Sequence, residues 1–169
     1  MTYKITKSTL VDDVLIDLPA SKSLSNRALI MQGLCLGSCS ISHLSDCDDT
    51  SVMLRAHNRD TSTYNYEGDY RIIDIGAAGT SMRFLTAFFS AQEGVKVIMT
   101  GSQRMRQRPI SVLVDALRAL GADVEYTESE GFPPLRINGK RLKGGHLEID
   151  GSISSQYISA LLMIAPTLQ

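Results

Sequence analysis

One arrangement occurs three times in this chain, and it restricts the available folds more than any other feature. Residues 18–30 read LPASKSLSNRALI, residues 75–90 read IGAAGTSMRFLTAFFS and residues 151–166 read GSISSQYISALLMIAP; each is a small polar turn opening onto an apolar helix. Ser25-Asn26-Arg27, Ser81-Met82-Arg83 and Ser154-Ser155-Gln156 occupy corresponding places. Repeated units usually pack symmetrically, so the three turns are expected to face a common centre. A helix start offers unpaired N–H groups and a partial positive charge, which favour a phosphate or carboxylate. Three such starts, with Lys22 and Arg27 beside the first, would bind a polyanion. For the first turn alone, the alternative is a Ser-capped surface helix with two solvated cations.

The 169 residues suit one domain of ordinary size, and 43% hydrophobic with 21% charged residues excludes a disordered chain. A net charge of −1 gives no electrostatic case for nucleic acid or for a membrane surface, so the cations matter by placement. No apolar run approaches transmembrane length and the N-terminus lacks a signal-type apolar stretch, which makes a reduced cytoplasmic setting the expectation. Cys35, Cys39, His43 and Cys47 fall every fourth residue, but Gly37 and the Ser38–Ser42 run interrupt any continuous helix. Buried or half-buried thiols are therefore expected in place of a metal site.

In chain order, alternation predicts one or two strands in 3–18 around an Asp12-Asp13 turn, a helix over 23–36 ended by Gly37, and a strand over 38–44. Asp48 and Asp49 read as N-caps and dipole partners of a helix over 50–57. Gly68-Asp69 marks a hairpin between 61–67 and 70–75, and Gly79 serves either a turn or a close approach of backbone to ligand. A strand over 95–100 leads into GSQRMRQRP, an Arg-rich loop for which anion binding and solvation are equally open. A helix over 110–120 and strands over 123–128, 132–138 and 146–150 follow; His146 is given no role. The last apolar helix has nothing further to pack against, from which a truncated chain is expected.

Four stretches in order, PASKSLSNRALI, GAAGTSMRFLTA, TGSQRMRQRPISVLVDALRALGA and GSISSQYISALLMIAP, resemble the signatures of the 5-enolpyruvylshikimate-3-phosphate synthase (EPSP synthase) family. The similarity runs through nearly the whole chain and is weakest at about 58–71. It implies an α/β (α+β) fold, an enolpyruvyl transferase-like domain built from repeated units of two helices and four strands, with helix N-termini facing an interdomain cleft. Residues 19–169 would be the incomplete N-terminal domain, the C-terminal domain would be absent, and residues 1–18 would pack with that missing partner.

The implied reaction transfers the enolpyruvyl group of phosphoenolpyruvate to the 5-hydroxyl of shikimate 3-phosphate, in aromatic amino acid biosynthesis, with no metal or organic cofactor. By the resemblance, Lys22, Ser23, Arg27, Ser154, Ser155 and Gln156 would bind shikimate 3-phosphate. Lys22, Gly79, Arg108 and Gln156 would bind phosphoenolpyruvate, supported by Thr80 and Arg83, while Arg104 and Arg106 remain solvated loop charges. The family's acid/base residues, an Asp, a Lys and a Glu, would lie in the absent half, leaving no catalytic residue here. Two departures bear on phosphoenolpyruvate and on the inhibitor glyphosate that takes its place: Ala77 replaces the Asn of Gly-Asn-Ala-Gly-Thr, and Phe84 replaces a common Pro. The alternatives are a non-catalytic half-molecule that binds shikimate 3-phosphate only, and the sister transferase acting on UDP-N-acetylglucosamine. The latter family has Lys-Asn where Lys22-Ser23 stand and a Cys in the Arg-rich loop, neither of which this chain carries.

Overall fold

The computed structural model describes every residue except 1, 5, 8–12, 36–38 and 59–62. At its centre lies α3 (Gly79–Ser90), of whose 12 residues nine are buried. A helix apolar nearly all round must be enclosed. It packs against α1 (Lys22–Leu34), α2 (Asp48–His57), α5 (Ser111–Ala119) and α6 (Ser155–Ile164). Two of its buried hydroxyls are satisfied by its own backbone, Thr86 donating to the Met82 carbonyl and Ser90 to that of Thr86, both at 2.7 Å.

A five-stranded sheet closes the other side, in the order β1 (Tyr66–Glu67), β2 (Tyr70–Asp74), β3 (Lys96–Thr100), β5 (Leu135–Asn138), β4 (Asp123–Tyr126). The β2–β3 pair is parallel because α3 forms the crossover between them; the others are antiparallel. Ile73, Val97, Met99, Val124, Leu135 and Ile137 form the buried inner face. The alternate face mixes Ile72 and Ile98 with charged residues, Arg136 bridging Glu67 and Glu125 and Lys96 pairing with Asp69. The segment β2 to β5 thus contains the expected unit of four strands and two longer helices, α3 and α5, with a short helix α4 (Gln103–Arg106) between them.

Several expected elements differ. No described residue of 3–18 is in a strand; Asp13 turns with φ of +62°, and Val14, Leu15, Ile16 and Leu18 are exposed. The described parts of 38–44 and all of 146–150 also lack strand pairing, because alternation alone cannot form a ladder without a partner edge. Helix α1 begins one residue earlier than expected and ends at Leu34 with Cys35 as its C-cap; the expected stop at Gly37 lies outside the described residues, as do Asp12 and the start of the 61–67 strand. The strands at 123–128 and 132–138 shorten to β4 and β5, whereas the Gly68-Asp69 hairpin forms. Asp48 and Asp49 lie in the first turn of α2, so they act on its dipole and Cys47 takes the cap position.

Cys35 and Cys39 are exposed, against the expectation of burial, while Cys47 is half-buried. His57 anchors α2 to its neighbours: its ring centroid is 4.7 Å from that of Phe88, and its Nδ1 lies 2.8 Å from the Met53 carbonyl, which makes that nitrogen the donor. Burial foremost, with Arg71 nearby, holds its pKa below the ordinary value despite the Met53 bond.

Candidate functional site

The starts of α1, α3 and α6 open onto one cleft of about 830 Å³. Its walls include Lys22 from the first, Gly79, Thr80 and Arg83 from the second, and Ser154, Ser155 and Gln156 from the third. Arg108 enters from the segment between α4 and α5. Lys22, Arg83 and Arg108 face a single carboxylate, that of Asp49, 3.7 Å from the Lys22 ammonium. With the Lys22 side chain half exposed, that pair is weak, and the cleft remains positive. Three cations and three helix starts make a place for an anion with more than one negative group.

The three starts are not built alike. Ser21 caps α1 by accepting from the Leu24 amide at 3.4 Å, and Ser154 caps α6 by accepting from the Gln156 amide at 3.3 Å. Ala78 precedes α3 and has no side-chain acceptor to offer. That start is delivered by β2 through Gly76, whose φ of +56° suits glycine and whose amide donates to Asp74 at 2.8 Å. A Cβ on Gly79 would lie 2.6 Å from an Arg108 guanidinium nitrogen and 3.2 Å from one of Arg83. Glycine at 79 therefore lets two guanidinium groups reach the uncapped helix start.

Side chains tie α3 to α6 across the cleft floor. Arg83 donates to the Gln156 side-chain oxygen at 3.0 Å and to the Gly79 carbonyl at 3.1 Å, and the Gln156 amide nitrogen lies 3.4 Å from the Thr80 hydroxyl. Gln156 is thereby oriented with its nitrogen toward Thr80. The Arg83 guanidinium stands 5.3 Å from the centroid of the Tyr157 ring.

Of the expected site residues, Lys22, Gly79, Thr80, Arg83, Arg108, Ser154, Ser155 and Gln156 line this cleft. Ser23 and Arg27 do not. Arg27 donates to the Ser23 hydroxyl and carbonyl and to Ser159 at 3.3 Å, and its guanidinium lies 5.3 Å from the Phe84 ring centroid. Phe84 is fully buried within a regular α3, and Ala77 is exposed on the cleft wall. Arg106 is not merely solvated, since it pairs with Glu128 at 2.7 Å. Asp49 joins the cleft as a residue that its local sequence does not mark as part of a site. Only a contact across 27 positions reveals it, and its carbonyl also accepts from Ser81 at 3.1 Å.

Among the described residues no group of three or more His, Cys, Asp or Glu side chains is placed to hold a metal ion, and no helix is long and apolar enough to cross a membrane.

Comparison with known proteins gives one answer. The family model for EPSP synthase (3-phosphoshikimate 1-carboxyvinyltransferase) matches residues 6–169. A 3-phosphoshikimate 1-carboxyvinyltransferase of Bacteroides fragilis is 56% identical over 154 residues, covering 91% of this chain and 35% of the relative. One of Haemophilus influenzae is 45% identical over 170 residues, covering 89% of this chain and 39% of the relative. The chain therefore spans well under half the length of these relatives. In fold it is similar to an EPSP synthase from Acinetobacter baumannii, with a TM-score of 0.72 at 24% identity, over 91% of this chain and 38% of that one. On the match along nearly its whole length, this chain belongs to the EPSP synthase family.

Proposed function

We propose that this chain is the N-terminal part of an enzyme that transfers the enolpyruvyl group of phosphoenolpyruvate to the 5-hydroxyl of shikimate 3-phosphate and releases phosphate. The observation that carries the proposal is the meeting of three helix starts and three cations in one cleft. Both substrates are anions that repel each other, and such a cleft offsets that repulsion while it orients them. Protonation of the enol carbon makes C2 of phosphoenolpyruvate electrophilic. The hydroxyl adds with loss of its proton to give a tetrahedral ketal, and the methyl group of the ketal then loses a proton as phosphate leaves and the enol ether forms.

In this reading Ser154 and Ser155 hold the 3-phosphate, and Lys22 stands between the two substrates. Arg108 and the open start of α3 at Gly79 hold phosphoenolpyruvate, with Gln156, Thr80 and Arg83 beside it. Ser23 and Arg27 reach the hydroxyls and carboxylate of shikimate 3-phosphate after Arg27 gives up its internal bonds. Proton transfer belongs to a C-terminal domain that also packs with residues 1–18. The enzyme works in the cytoplasm and needs no metal or organic cofactor. The names of the relatives support this acceptor over UDP-N-acetylglucosamine.

In the complete enzyme, Lys22→Ala or Arg27→Ala is expected to lower turnover by about a hundredfold or more with the fold intact. Near-normal rates in both variants contradict the assignment. The 169-residue chain by itself is expected to form no product.

A further inference from the structure

From the packing beneath the cleft we infer that Tyr157 is a positioning residue, one that sets the spacing of Arg83 and Arg108 and through it the affinity for phosphoenolpyruvate. The inference rests on the reading that Arg108 holds that substrate. Tyr157 is 3% exposed, so its ring is part of the packed base of the cleft. Its hydroxyl donates to the Pro109 carbonyl at 2.8 Å, and its ring lies 5.3 Å from the Arg83 guanidinium carbon.

One side chain thus contacts Arg83 directly and holds the backbone of the residue that follows Arg108. Pro109 has no N–H, so its carbonyl is the only backbone hydrogen-bonding group with which that residue can be held. On either side the segment is pinned by Arg108 N–H to the Met105 carbonyl at 3.0 Å and Ile110 N–H to the Gly131 carbonyl at 2.9 Å. The Tyr157 bond is the link in this stretch that joins the Arg108 segment to α6, which also carries Ser155 and Gln156. Without it the Pro109 carbonyl is released, and Arg108 can retreat from the start of α3. A buried tyrosine that only fills space and satisfies its hydroxyl would have no such directional effect.

Tyr157→Phe keeps the ring and removes only the hydroxyl. In the complete enzyme, steady-state kinetics on the parent, Tyr157→Phe, Arg108→Ala and the double variant separate the cases. The expected result is a rise of about three- to tenfold in KM for phosphoenolpyruvate in Tyr157→Phe, with KM for shikimate 3-phosphate changed by less than about twofold. In the Arg108→Ala background the same substitution is expected to have no further effect, because the group it positions is gone. A normal KM in Tyr157→Phe alongside a raised one in Arg108→Ala overturns the inference and leaves the proposed function standing. An undiminished effect of Tyr157→Phe in the Arg108→Ala background, or an equal rise in both KM values, also overturns it in favour of a general packing role. An unchanged KM in Arg108→Ala overturns the assignment of Arg108 and the inference with it.

Discussion

The starts of α3 and α1 meet the same local problem in opposite ways. In α1 the first-turn amides are partly satisfied from within, by Ser21, and the cation comes from the helix itself as Lys22. In α3 there is no internal acceptor, the first residue is glycine, and the nearby charge comes from Arg83 one turn on and from Arg108 on a distant segment. A capped start is stable by itself, by about 1 kcal/mol over an uncapped one. An uncapped, solvent-facing start leaves its amides to water or to an anion. In the proposed function α1 places a charge and α3 offers backbone donors.

The two starts differ most at Gly79. Gly79→Ala places a methyl group where Arg108 now sits, and is expected to raise KM for phosphoenolpyruvate by about tenfold or more in the complete enzyme, while thermal unfolding changes little. An unaffected KM means that the close approach of Arg108 is incidental. A smaller effect comes from giving α3 the cap it lacks. Ala78→Ser is expected to stabilise the chain by about 0.5–1 kcal/mol in a denaturant titration and to weaken phosphoenolpyruvate binding, since the new hydroxyl competes for the same amides. If both stability and binding improve, the open start is not a ligand site.

Ser21→Ala removes the cap of α1. It is expected to cost about 0.5–1 kcal/mol of stability with almost no change in either KM, because that cap serves the helix and not the substrate. The smallest effect concerns α2, which holds Asp49 behind Lys22. His57 is held below its ordinary pKa by burial, so the unfolded chain takes up its proton first as pH falls below 6.5. Stability is expected to be full above that value and to be lost as pH falls toward the folded-state pKa. His57→Gln should flatten this part of a denaturation-versus-pH curve, and an unaltered slope contradicts the buried neutral ring.

How much of this was legible in advance follows from the range of the interactions. The segment from β2 to β5 read well because its strands alternate and its turns carry Gly76 and Gly121. The three helix starts were legible because each is written locally as a Ser/Gly turn before an apolar run. Among the described residues of 3–18 and 38–44, and in 146–150, strands were overread, since alternation records which face is apolar and says nothing of whether a neighbouring edge exists. Three features were beyond reach for a different reason. The Lys22–Asp49 pair, the Arg106–Glu128 pair and the Tyr157–Pro109 bond join positions 22 to 48 apart, and no residue in any of them is unusual locally. Arg27 was legible as a cation at the first turn, but its internal bonds to Ser23 and Ser159 were not.

The central claim is that three helix starts already form one anion site within these 169 residues. Calorimetric titration of this chain with shikimate 3-phosphate, at low and at moderate salt, tests it most directly. The account predicts binding that weakens with salt, as expected for a partly exposed cationic cleft, and that is lost in Ser155→Ala and Arg27→Ala. A folded chain that binds no shikimate 3-phosphate at either salt concentration, or binds it equally well in both variants, contradicts the claim.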